Sequence, residues 1–154
     1  MLLLALLTIP DTPARTLVWA GRAWQVKSGY AGPGPNRWSN TLNSVWVDDD
    51  GALHLAIRQS DHGWTSAEIY TLDCTGYGPH RFYIDAPLDD LDANVVIAPF
   101  LYADDHTEID IEFSRWGDPD NPDSAQFVIQ PPRTSTWHTF PLPLTGTYTT
   151  HTID

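Results

Sequence analysis

The chain has 154 residues, 42% of them hydrophobic and 18% charged, a globular composition of one domain's size that excludes a disordered chain. Eight Lys+Arg stand against twenty Asp+Glu, a formal charge of −12, which argues against nucleic acid and against anionic membrane surfaces as partners. Cys74 is the sole cysteine, so an intrachain disulfide is excluded and the redox compartment is left open.

The chain starts with "MLLLALLTIPDTPA", an apolar run of signal-peptide length without a basic leading region or a small-residue cleavage site. Residues 1–18 therefore read either as a degenerate export segment or as a buried N-terminal strand, and the run is too short to span a bilayer. Lys27 is the only lysine, a bias that suits a salt-tolerant or secreted protein and that a GC-rich genome also produces. Seven Trp and six Tyr fit a carbohydrate binder, because sugars stack their C–H faces on aromatic rings; they fit a β-rich core as well. In the "GPGPN" loop, Asn36 is a candidate for a cleft edge or for a plain turn.

From residue 44 onward the pattern is strand after strand. "SVWVDDDGALHLAIRQ" reads as strand, acidic turn at Gly51, and a second strand in which Leu53, Leu55 and Ile57 alternate with His54, Ala56 and Arg58. "TSAEIYTL" and "GPHRFYIDA" continue the series, and "NVVIAPFLYA" is apolar enough to be buried on both faces. "EIDIEFSR" and "AQFVIQ" come next, separated by the loop "DPDNPD". That loop has calcium-binding residue types but lacks the glycine and distal glutamate of a calcium hand, so no cofactor is expected. His54, His80 and His106 have no partners at metal-ligand spacing. Thirteen Pro and ten Gly break every window that could sustain a helix, and short, evenly spaced strands favour a β-sandwich or jelly roll.

The chemistry concentrates in "HTEIDIEFSRWG". Glu108, Asp110 and Glu112 alternate with Ile109, Ile111 and Phe113, so a strand here carries three carboxylates on one face. At a rise of about 3.4 Å per residue the two glutamate Cα atoms are about 13–14 Å apart, and leaning side chains can bring the carboxyls to roughly the 5–5.5 Å of a retaining glycosidase. The central aspartate is one methylene shorter and can sit beneath the pair. Mutual repulsion raises at least one pKa, separating a general acid from an ionised nucleophile. A solvated acidic edge strand is the alternative, although like charges on one face destabilise it.

"EIDIEF" resembles the E-x-D-x-E signature of glycoside hydrolase family 16, the laminarinase and lichenase-like β-glucanases. The order of "NSVWVDDDGALHLAI", "WTSAEIYT", "GYGPHRFYID", "NVVIAPFLY", "EIDIEFSRWG" and "AQFVIQP" is similar to the order of strands in that family. The resemblance implies an all-β, concanavalin A-like β-jelly-roll sandwich over residues 19–154. Glu108 would be the nucleophile, Glu112 the acid and then base, and Asp110 the group that holds and tunes the nucleophile. Glu68, the aromatic pair Phe100 and Tyr102, and Gln126 match cleft positions, and by alternation Gln130 shares the face of Gln126. Trp116 has the parity of Glu108 if the strand continues, which would make it either a sugar platform or a rim residue.

Some positions depart from the family. Its Trp-Pro-x-x-Trp segment is replaced by "IAPFLY", Val128 and Tyr70 stand where some members carry polar residues, and the domain is shorter, implying that C-terminal strands of the jelly roll are missing. The expected protein is thus a monomeric retaining glycosidase, extracellular or periplasmic, acting on O-glycosidic bonds of a β-linked polysaccharide, with neither nucleic acid nor membrane as partner. A non-catalytic lectin-like module and an inactive truncated fragment are the other two readings.

Overall fold

Short alternating runs broken by Pro and Gly satisfy their backbone groups by pairing laterally. The computed structural model describes residues 13–154, which are all-β, with antiparallel strands and no helix among them. The chain divides into two compact units, Met1–Gly76 and Tyr77–Asp154. Of the expected leading segment, residues 1–12 lie outside the described residues, and residues 15–18 belong to the first strand.

In the first unit, β1 (Arg15–Trp19) and β2 (Arg22–Val26) form a hairpin. Its turn, Ala20-Gly21, has positive φ at both positions, the geometry that matches the twist of the flanking strands. β3 (Gly29–Ala31) pairs with β4 (Asn36–Trp38), β5 (Val45–Val47) with β6 (Leu53–Leu55), and β7 (Arg58–Ser60) with β8 (Gly63–Thr65). β9 (Ile69–Thr71) then returns to the free edge of β2. Val26, Trp38 and Val45 are buried here. Arg15 fastens the 40–45 turn through its guanidinium, with Nη1 donating to the Asn40 carbonyl at 2.8 Å and Nη2 to that of Val45 at 2.8 Å.

The second unit contains β10 (His80–Asp85), β11 (Phe100–Asp104), β12 (Thr107–Phe113), β13 (Ala125–Ile129), β14 (Trp137–Phe140) and β15 (Tyr148–Ile153). Strands β11 to β14 form one antiparallel sheet in chain order, which makes β12 an interior strand, while β10 and β15 form a ribbon of their own. Phe113 of β12 is 1% exposed and clusters with Leu88 and Ala125, with Ile84 of the ribbon and Leu142 and Leu144 packed around them. His151 of the ribbon lies 4.6 Å from Phe113 between ring centres. The unit therefore has two layers with the apolar face of β12 between them, and the acidic face of β12 points away from this core.

Three strand expectations change. Residues 65–72 are not one strand: β8 ends at Thr65, Ser66 bridges Trp38, and β9 begins at Ile69, because the segment leaves its hairpin partner to pair with β2. Residues 94–103 are not buried on both faces. Regular pairing starts only at Phe100, and Val96 and Tyr102 are exposed, since β11 is an edge strand. Ile57 falls between β6 and β7 and is also exposed. The "GPGPN" loop is a plain turn, in which the Asn36 amide donates to the Pro33 carbonyl at 2.7 Å.

The difference between the centre of the second unit's apolar face and its exposed margin is measurable. Phe113→Ala should destabilise the chain by about 3–5 kcal/mol in denaturant melts, whereas Phe127→Ala, at a position 43% exposed, should cost about 1–2 kcal/mol.

Candidate active site

Antiparallel register determines what surrounds the three carboxylates. Phe100 stands opposite Asp110 and Tyr102 opposite Glu108 on one side; Val128 stands opposite Asp110 and Gln126 opposite Glu112 on the other. Gln130 extends the ladder by donating its backbone N–H to the Glu108 carbonyl at 2.9 Å. One strand further, Trp137 is opposite Val128 and Thr139 opposite Gln126. Directly paired residues share a face, so Glu108, Asp110, Glu112, Phe100, Tyr102, Gln126 and Gln130 are brought together, with Trp137 added.

The centre of this face is dry. Asp110 is 7% exposed, while Glu108 and Glu112 are half-buried. Burial pushes the Asp110 carboxyl up to about 7; the charges of Glu108 and Glu112 and a hydrogen bond with Glu108 push the same way, against a bond from Gln130. The repulsion expected on this face thus falls on the short central residue, buried between two longer ones. In its protonated form Asp110 donates to Glu108, holding that carboxylate in place.

Glu112 is held from the other side. Gln126 Nε2 donates to Glu112 Oε2, and Gln126 Oε1 accepts from the Trp137 indole at 2.8 Å. Because an indole N–H can only donate, it fixes which end of the Gln126 amide faces Glu112. Trp137 is absent from the sequence-based site, although "WHTF" alternates as a strand and would place it on the face of Thr139. Its ring is 53% exposed, as is much of Tyr102, whose hydroxyl donates to Asp105 at 2.8 Å.

Two expected site residues are not among those paired around β12. Trp116 is not on the strand, because β12 ends at Phe113. It occupies a left-handed turn with φ 48°, its N–H bonded to the Ser114 hydroxyl at 2.9 Å, so strand parity does not place it on the acidic face. Glu68 belongs to the first unit, where both its oxygens accept from Lys27 Nζ, at 2.9 and 2.8 Å. Lys27 in turn lies over the Trp38 ring at 4.5 Å.

In the loop 118–123, Asp118 and Asn121 side chains cap backbone N–H groups two residues ahead, and Asp123 accepts from Thr139 at 2.6 Å. Among the described residues no group of three or more His, Cys, Asp or Glu is placed to hold a metal ion. Comparison with protein-family models, curated proteins and solved structures returned no match.

The Asp110 proton makes stability depend on pH. The folded chain binds it more tightly than the unfolded chain, so its stabilising effect is complete below about pH 4 and is lost as pH rises to about 7. Asp110→Asn keeps a donor toward Glu108 and cannot ionise. Melts from pH 4 to 7 should therefore show the variant gaining progressively on the wild type.

Proposed function

We propose that the chain is a retaining glycoside hydrolase acting on a β-linked polysaccharide, as its resemblance to glycoside hydrolase family 16 implies. The observation that carries this reading is the acidic face of β12: two glutamates separated by a buried aspartate with a pKa near 7, each glutamate held by a different neighbour. A strand that only met solvent would have no reason to bury its middle carboxylate. The two-layer packing of the second unit is what a concanavalin A-like jelly roll would require of these strands.

In the first step a Glu108 oxygen attacks the anomeric carbon as the glycosidic C–O bond breaks, and Glu112 gives its proton to the leaving oxygen. In the second, Glu112 takes a proton from water, the hydroxide attacks the same carbon, and Glu108 is released. Gln126 occupies Glu112 Oε2, leaving Oε1 to carry the proton. Asp110, protonated, orients Glu108 and removes a third charge from the face. Tyr102 and Trp137 offer exposed rings on which sugar faces can stack. A polymeric substrate places the protein outside the cytoplasm, and among the described residues no helix is long and apolar enough to cross a membrane.

Reducing-sugar release from a panel of laminarin, lichenan and agar should fall by roughly 10²–10⁴ in Glu112→Gln and further in Glu108→Gln, with melting temperatures preserved. NMR of the initial product should show the β-anomer. A folded protein that turns over none of these glycans, yet binds them equally well before and after Glu108→Gln, is a lectin and not a hydrolase. Trp137→Phe, which keeps a ring and loses the N–H, should lower kcat more than it raises KM; Trp137→Ala should change both.

A further inference from the structure

The first unit contains an open pocket of about 580 Å³, bounded by β4, the 39–44 turn and the β7–β8 hairpin. That size suits one or two sugar rings. Its lining is unusual for a chain of net charge −12: it includes Arg37 and Arg58 and no Asp or Glu. Acidic side chains outnumber basic ones by twenty to eight along the chain, so a pocket with two cations and no carboxylate departs from what the composition would supply.

The two guanidiniums are available. Arg58 uses Nε to hold the Asn43 carbonyl at 3.0 Å, leaving its two Nη groups. Arg37 is half-buried, and its guanidinium bonds to no acceptor among the described residues. Other cations of this unit are committed: Arg15 to backbone carbonyls, Arg22 to Asp73 and Lys27 to Glu68.

Neutral hydrogen-bonding groups make up most of the remaining lining, and the deeper ones are already organised. Ser44 donates to Ser39 at 2.9 Å and shares a bond with Thr41 at 3.1 Å, while the buried Asn40 amide donates to the Pro13 carbonyl at 2.9 Å. Trp38 also lines the pocket, with its indole N–H bonded to the Ala31 carbonyl at 2.9 Å. The lining is thus polar and internally hydrogen-bonded, with two cations among its residues.

We infer that this pocket binds an acidic sugar, its guanidiniums taking the anionic oxygens of a carboxylate or sulfate ester and its amides and hydroxyls taking the ring hydroxyls. The inference goes beyond the hydrolase reading and does not depend on it, since the pocket lies wholly within the first unit and the three carboxylates lie in the second.

The test is calorimetric titration of the full chain carrying Glu108→Gln, so that turnover cannot intervene. The probes are trigalacturonate, a sulfated galactose disaccharide, a neutral trigalactoside and inorganic sulfate. Binding of either charged sugar, at least about tenfold tighter than the neutral one and weakened at least about tenfold by Arg37→Gln, is the expected result. Which of the two charged sugars binds more tightly separates carboxylate from sulfate. The Arg37 guanidinium has no protein bond to lose, so its variant should melt as the parent does, and Arg37→Lys should recover part of the affinity. Equal binding of the neutral sugar, inorganic sulfate binding as tightly as the charged sugars, no binding of either charged sugar, or affinity unchanged in Arg37→Gln would each overturn the proposal. Loss of binding here with glycan hydrolysis intact, or the reverse, keeps this inference distinct from the hydrolase reading.

Discussion

Period-two alternation along β12 is the constraint on which the second unit depends. Ile109, Ile111 and Phe113 face its apolar core, and Glu108, Asp110 and Glu112 face the other way. A slip of one residue would exchange these sets, putting three carboxylates against Leu88 and Ala125. Burying even one unpaired charge costs several kcal/mol, so that slip is forbidden. Because β12 is an interior strand, fixing its register fixes both neighbours. The core thereby selects Tyr102, Gln126 and Gln130 as the surroundings of the carboxylates, and through β13 it selects Trp137.

This explains which features are legible in the sequence. The all-β class and the acidic face come from alternation, which is local, and the carboxylates, Phe100, Tyr102, Gln126 and Gln130 do share one face. What alternation does not supply is whatever depends on pairing. Strand parity misplaces Trp116, because a left-handed turn ends the strand before it. The partner of Glu68 is equally hidden from a local reading, because Lys27 lies forty-one positions away. Trp137 escapes a sequence reading because its link to Glu112 runs through Gln126, and nothing local joins "WHTF" to "EIDIEF". The apolarity of residues 94–103 suggests a central strand, but an edge strand can be apolar too, and only pairing tells them apart.

Cations are scarce in this chain, and their placement separates structural from free ones. Arg15 satisfies backbone carbonyls that a turn leaves open, and Lys27 neutralises a glutamate whose side chain is only 13% exposed. In the second unit Arg115 donates to the Asp89 carbonyl at 2.9 Å while the Asp89 side chain accepts from the Leu144 N–H at 3.0 Å, fastening two loops that pack beside Phe113. No cation is among the groups that act on Asp110 at the centre of the acidic face of β12. That face is instead relieved by a proton, which burial and the neighbouring carboxylates favour on Asp110.

The proposed reaction makes use of that proton. Before attack, Glu108 is ionised, and its charge is one of the causes that hold the proton on Asp110. Forming the glycosyl ester removes that charge, while Glu112, having given its proton away, becomes the charged neighbour that holds the proton on Asp110. The two glutamates therefore never need to be ionised together beside an ionised Asp110. Hydrolysis of the ester returns the charge to Glu108 and the proton to Glu112. A central residue of ordinary acidity would add a second charge beside the ionised glutamate at each stage, and the burial of Asp110 between them is what opposes it.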